Sequence, residues 1–318
     1  MRIILDTDPG VDDALAIMYL AAQEDAEIVA VGSVHGNVPS PLAAQNALRV
    51  LELVGIPAPV AVGAARPLAQ PLQTAEFVHG ADGLGGRAGP PPRGKPVSES
   101  AAEQLVRLAR AEPGELTLLA LGPLTNIALA VLLEPDLPKL LRSVVIMGGA
   151  VTVPGNITPY AEANYFHDPE AADLVLGAGF GDLTLVGLDA TEQTRAGEEW
   201  LTAVGALRGP RAEFAHGLLA HYAAFYSQMF GTPGCTLHDP LAAAIMLDQK
   251  LATYREMPLA IELTGTHTRG QVVSDQRVIA NDTYIANEAI AGRLPVKVAE
   301  TVDVPRFLEQ MYEALKVN

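Results

Sequence analysis

Seven short runs rich in Ile, Val and Leu recur along the chain, at residues 2–7, 27–34, 59–63, 116–121, 143–147, 183–188 and 258–263. They are nearly continuous in hydrophobicity rather than alternating, as suits parallel strands buried on both faces. Longer segments with helical spacing lie between them: 11–23, 41–54, 100–111, 124–134, 169–177 and 240–249. Further helical patterns cover 211–229 and 303–316. Strand-then-helix repetition predicts βαβ units. The expected fold is α/β: an open, mostly parallel, doubly wound sheet flanked by helices. In such sheets ligands bind at the carboxyl ends of the strands. No domain-sized linker interrupts the pattern. The Gly/Pro-rich stretch 85–100 reads as a mobile loop, so residues 1–318 are expected to form one domain.

The first run leads directly into Leu5-Asp6-Thr7-Asp8-Pro9-Gly10-Val11-Asp12-Asp13. These aspartates therefore sit at the carboxyl edge of the sheet. Asp12 and Asp13 fall in the first turn of the next helix, where a carboxylate opposes the helix dipole by roughly 0.3–1 kcal/mol. That accounts for one or two of them, not four. Like charges about 4 Å apart repel by ~1 kcal/mol in water and ~4 kcal/mol at an effective dielectric of 20. No lysine or arginine is near in sequence to offset this. A divalent cation would, and all-oxygen donors suit Ca²⁺ or Mg²⁺ rather than zinc.

Composition narrows the partners. The formal net charge is −16, which repels nucleic acid and anionic membrane alike. The lone cysteine, Cys235, permits neither an internal disulfide nor a Cys-rich zinc site, and reads as a small buried or loop residue. The apolar stretch after Met1 is too short for a signal peptide, and no window is apolar for long enough to span a bilayer. The expectation is a soluble cytoplasmic protein.

Polar residues recur where the other strands should end: Asn37 in HGN, Asn126 in GPLTN, Asn156 in VPGN, then AEANYFHDPEAA, and His238-Asp239 at the start of a helix. Each has a plain structural explanation. Asn37 tolerates a turn. Asp168 and Asp239 each precede proline and look like helix N-caps. Their common position at one sheet edge argues for a site.

Taken together, these stretches resemble the inosine–uridine preferring nucleoside hydrolase family. The carriers are DTDPGVDDA at 6–14, HGN at 35–37, HGADGLGG at 79–86, LGPLTNIA at 121–128, VIMGGA at 145–150, PGNITPYAEANYFHDPEAA at 154–172 and LHDPLAAA at 237–244. The resemblance implies hydrolysis of the N-glycosidic bond of ribonucleosides to ribose and free base, with a bound Ca²⁺. It implies Asp8, Asp13, Asp239 and the backbone carbonyl of Leu121 as metal ligands. Asp12, Asn156, Glu162 and Asn164 would hold the ribose hydroxyls, Asn37 would line the same pocket, and Met147 would pack under the sugar. Asp8 would activate the attacking water as general base, and His238 would protonate the departing base. Asp6 would hold the loop. His79 matches a lid histidine, and Tyr222 and Tyr226 match tyrosines facing the base. Homodimers or homotetramers are implied.

The chemistry suits these residue types. Cleaving a ribosyl bond builds positive charge on C1′ and the ring oxygen, which a carboxylate-rich pocket stabilises. Two departures stand out: Ala163 replaces an aromatic common in relatives, and Phe230 is apolar where a polar base-reading residue could sit. Two other functions compete. An Asp-x-Asp phosphohydrolase fits Asp6-Thr7-Asp8, but two further aspartates would repel a phosphate dianion. A non-catalytic nucleoside- or ribose-binding protein would be favoured if Asp8, Asp13 or Asp239 were missing, and all are present.

Overall fold

The computed structural model describes residues 1–317 except 232, 278–289 and 291. Seven strands follow in order: β1 (Arg2–Thr7), β2 (Glu27–Ser33), β3 (Val60–Val62), β4 (Val97–Ser100), β5 (Leu116–Ala120), β6 (Ser143–Met147) and β7 (Leu183–Val186). With Ala252–Met257 and Val296–Val302 they form a nine-stranded sheet. Its order is Ala252–Met257, Val296–Val302, β7, β6, β5, β1, β2, β3, β4. All neighbours pair parallel except the first two.

β1 shows why the apolar runs are continuous. Ile3 and Leu5 pack on one face with the helices α1 (Val11–Ala21) and α2 (Ser40–Val54). Ile4 packs on the other face, with helices Ala101–Ala111 and Thr125–Leu133. Burying each such side chain stabilises the fold by roughly 2 kcal/mol, so both faces reward apolar residues. Helix starts and stops follow local chemistry. Ser100 and Glu103 form a reciprocal capping box ahead of Ala101–Ala111. Gly55 ends α2 at φ 75°, a left-handed conformation that favours glycine.

The run 258–263 does not join the central sheet as expected. Its Ala260–Ile261 pairs antiparallel with Val272–Val273. The edge is instead Ala252–Met257, whose exposed and half-buried residues largely alternate, Met257 alone being buried. An edge strand with a wet face carries no continuous apolar run, so the sequence pattern missed it. β4 was missed for the same reason, and it occupies the end of the segment read as a loop.

Chain order reverses at β1. The strands β2, β3 and β4 extend to one side and β5, β6 and β7 to the other. The loops after β1 and β5 therefore diverge and leave a crevice between them, where open α/β sheets bind ligands. No helix among the described residues is long and apolar enough to cross a membrane.

Candidate active site

The loop after β1 is built around Asp13. Its Oδ1 accepts from the Thr7 hydroxyl and, at 3.3 Å, from the Asp8 amide. Its Oδ2 accepts from the Gly10 amide at 2.9 Å and from Asn37 Nδ2 at 3.1 Å. Asp8 Oδ2 accepts from the Asn37 amide at 2.7 Å, whereas Asp8 Oδ1 is buried without a hydrogen-bond partner. Gly10 is required by crowding: a Cβ there would stand 2.6 Å from both Asn37 Nδ2 and His79 Nδ1. Asp6 faces away from this cluster. It accepts from Asn126 Nδ2 at 2.8 Å and tethers the first turn of helix Thr125–Leu133. Its carboxyl is pushed up to about 7 by burial.

Asp239 arrives from far along the chain. It is not an N-cap as its proline suggested; it lies inside the first turn of helix His238–Leu247. One carboxylate oxygen from each of Asp12, Asp13 and Asp239 lies within 4.8 Å of the others. Burial and mutual repulsion hold Asp8 and Asp239 well above the usual carboxylate range. Burial, then the charge of Asp13, raises Asp12 to about 8. Asp168, by contrast, does cap a helix, accepting from the Ala171 amide at 3.1 Å.

Asp12 and Asp239 of the cluster line a cavity of about 300 Å³. The end of β6 supplies Met147, and the loop and helix after it supply Asn156, Glu162, Ala163 and Asn164. Glu162 caps helix Ala163–His167, with Oε1 accepting from the Asn164 amide and Oε2 from the Gly149 and Tyr165 amides. Asn164 Nδ2 donates to the Leu121 carbonyl at 2.8 Å and to the Met147 carbonyl at 3.2 Å. Asn156 Oδ1 accepts from the Ala163 amide at 3.0 Å.

The opposite wall is aromatic. Short helix α3 (Glu76–His79) brings His79, whose Nδ1 accepts from the Val11 amide at 3.1 Å, so its proton sits on Nε2. Burial lowers this ring to about 3. Helix Pro210–Phe230 presents Tyr222, Tyr226 and Phe230. The Tyr222 hydroxyl reaches Asp12 Oδ2 at 3.4 Å, and its ring meets Tyr226 edge-on at 5.0 Å. Tyr226 Oη lies 2.9 Å from His238 Nε2, and His238 Nδ1 lies 2.8 Å from Thr191 Oγ1. Burial lowers His238 to about 4, so it is neutral near pH 7.

Comparison with known proteins decides the family. Residues 3–309 match the model for inosine-uridine preferring nucleoside hydrolases. The chain belongs to this family. The nucleoside hydrolase is 38% identical over 317 residues to a probable uridine nucleosidase 2 of Arabidopsis thaliana, covering 99% of this chain and 97% of that one. It is 40% identical over 276 residues to a pyrimidine-specific ribonucleoside hydrolase of Shewanella woodyi, covering 86% and 88%. Among solved structures, a plant nucleoside hydrolase superposes with a TM-score of 0.94 at 34% identity, covering 100% and 99%.

The hydrolase brings every residue expected to touch nucleoside into this one cavity: Asp12, Asn37, His79, Met147, Asn156, Glu162, Asn164, Tyr222 and Tyr226. Leu121, His238 and Asp239 line it too, with Asp8 and Asp13 buried close by. Two residues escaped the sequence reading: Thr191, which holds His238, and Glu192, which lines the cavity. Their signal was available, since both lie within four residues of the end of the sixth apolar run. Cys235 is a buried free thiol.

Proposed function

We propose that this nucleoside hydrolase releases ribose and free base from ribonucleosides with the help of Ca²⁺, held by Asp8, Asp13, Asp239 and the Leu121 carbonyl. The observation that carries the metal is the unpartnered, buried Asp8 Oδ1 within a set of oxygen donors. The charges acting on Asp8, Asp12 and Asp239 are those of the neighbouring aspartates, and a cation would remove that repulsion. When bound, Ca²⁺ anchors ribose hydroxyls and the attacking water.

The chain's own residues supply the remaining chemistry. Asp8 Oδ1 takes a proton from the water while the Asn37 amide pins the other oxygen. Asp12, Asn156, Glu162 and Asn164 hold the ribose hydroxyls, and their carboxylates favour the positive charge that develops on the sugar. Met147 packs beneath the ring. Tyr222 faces the departing base, and His79 lines the pocket beside it, the two ring centroids 5.6 Å apart.

His238 acts through Tyr226. A neutral imidazole that accepts from Thr191 at Nδ1 donates from Nε2 to the phenol oxygen. That donation strengthens the hydrogen bond from the phenol to the base, on which negative charge builds as it leaves. The readings of one domain, a cytoplasmic setting and a homodimer or homotetramer accompany this proposal. The first is supported by one sheet that includes strands from both ends of the chain. The oligomer is supported by the family resemblance alone.

Reducing-sugar release from uridine and inosine by the Ca²⁺-loaded protein is the direct test. Folded, loaded protein that binds nucleoside without releasing sugar would overturn it.

A further inference from the structure

We propose that Glu192 reads the base, and that its carboxylate selects nucleosides whose base carries an exocyclic amine, cytidine over uridine. This rests on the hydrolase reading of the same cavity. Glu192 ends the short helix Leu188–Thr191, its amide bonded to the Leu188 carbonyl at 3.1 Å. The preceding residue, Thr191, is the one that holds His238. Glu192, an exposed residue, lines the cavity with Tyr226 and His238.

The rest of that end is poor in hydrogen-bonding groups. Phe225 and Phe230, which pack against Tyr226, and Met229 are apolar, so among the described residues beside Glu192 only the Tyr226 hydroxyl, backed by His238, is left to meet a base. Glu192 takes no part in the hydrogen-bond chain from Tyr226 through His238 to Thr191. Burial raises its carboxyl while the neighbouring Arg195 holds it down, and its negative charge is felt at Tyr226, where it helps keep the phenol protonated.

An ionised carboxylate accepts hydrogen bonds and cannot donate them. Cytosine offers an N4 amine. Uracil offers a carbonyl oxygen at the same position, whose lone pairs repel the carboxylate, and its ring donor, N3–H, lies one atom further round the ring. Adenine and guanine also bear amines; hypoxanthine does not. The charge at position 192 thus discriminates by donor pattern while the apolar wall accepts any ring, and a site's unpaired polar group penalises the wrong partner.

The test compares kcat/KM for cytidine and uridine in the native protein, Glu192→Gln and Glu192→Ala, using the ratio so that changes in active fraction cancel. The native ratio should favour cytidine about tenfold, the size of one charge-assisted hydrogen bond. In both variants it should fall close to one, because an amide can turn either face to the base and alanine offers neither. A native protein without cytidine preference, or a preference surviving in both variants, would overturn the assignment. Native protein that turns over neither 4-nitrophenyl riboside nor any nucleoside would instead overturn the hydrolase reading.

Discussion

Tyr226 Oη lies 2.9 Å from Nε2 of His238, and the imidazole is buried and neutral at pH 7. The two residues form one unit, and in the proposed mechanism the base meets a phenol backed by a histidine rather than a free imidazolium. Removing either member should cost roughly 10²–10³-fold in kcat on uridine or inosine, in the range of general acid catalysis. His238→Ala and Tyr226→Phe should largely spare 4-nitrophenyl riboside, whose leaving group needs little help. Asp8→Ala should depress both classes of substrate. Equal losses on both substrates in a folded His238→Ala protein would refute the leaving-group role.

Metal binding should release protons. Asp8, Asp12 and Asp239 sit above the usual carboxylate range when no cation offsets their repulsion, so the metal-free site holds protons near pH 7. Ligation by carboxylates needs them ionised, so Ca²⁺ affinity should rise with pH. Titration calorimetry in buffers of different ionisation enthalpy should find about one Ca²⁺ per chain and net proton release. Asp239→Asn should bind Ca²⁺ far more weakly. Full turnover by chelated protein, free of metal by elemental analysis, would sink the Ca²⁺ assignment.

Sugar recognition should be strict. In the proposed binding mode Asp12, Asn156, Glu162 and Asn164 hold the ribose hydroxyls, and each left without its hydroxyl partner costs roughly 1–3 kcal/mol. The kcat/KM for 2′-deoxyuridine should therefore fall at least about tenfold below that for uridine. Comparable values would mean that Asp12, Asn156, Glu162 and Asn164 do not hold the hydroxyls.

Acid should destabilise the fold through buried neutral histidines. His35 is fully buried, with Nε2 3.0 Å from Thr125 Oγ1, whose hydroxyl donates to Asp168 at 2.6 Å. Burial, then the neighbouring His167, holds it at about 4 against an ordinary 6.5. Above pH 6.5 the ring is neutral in both folded and unfolded chains, and its full contribution is present. As pH falls towards 4 the unfolded chain takes a proton that the fold refuses, so stability is lost. The whole gap is worth about 3 kcal/mol, of which about 2 kcal/mol is gone by pH 5. His35→Gln keeps a donor to Thr125 but does not titrate. Its Tm should drop less than that of the native protein between pH 7.5 and pH 5, with Ca²⁺ saturating throughout. Parallel drops would show that His35 does not carry this acid sensitivity.

Local order in the sequence determined the layered α/β architecture and the aspartate cluster. Continuous apolar runs record burial on both sheet faces, and Asp8, Asp12 and Asp13 are adjacent along the chain as well as in space. The edge strands Ala252–Met257 and β4 left no such record, because a wet face admits polar residues. Only tertiary structure brought Asp239 to the loop after β1, since the contact depends on how helix His238–Leu247 docks against α1. Only it turned Asp239 from an apparent cap into a member of the cluster, left Asp8 Oδ1 without a partner, and joined Thr191, His238 and Tyr226 into one chain. Hydrogen-bond partners and protonation are set by what burial brings close and what it keeps from water. Those are properties of packing between distant segments, and no local pattern contains them.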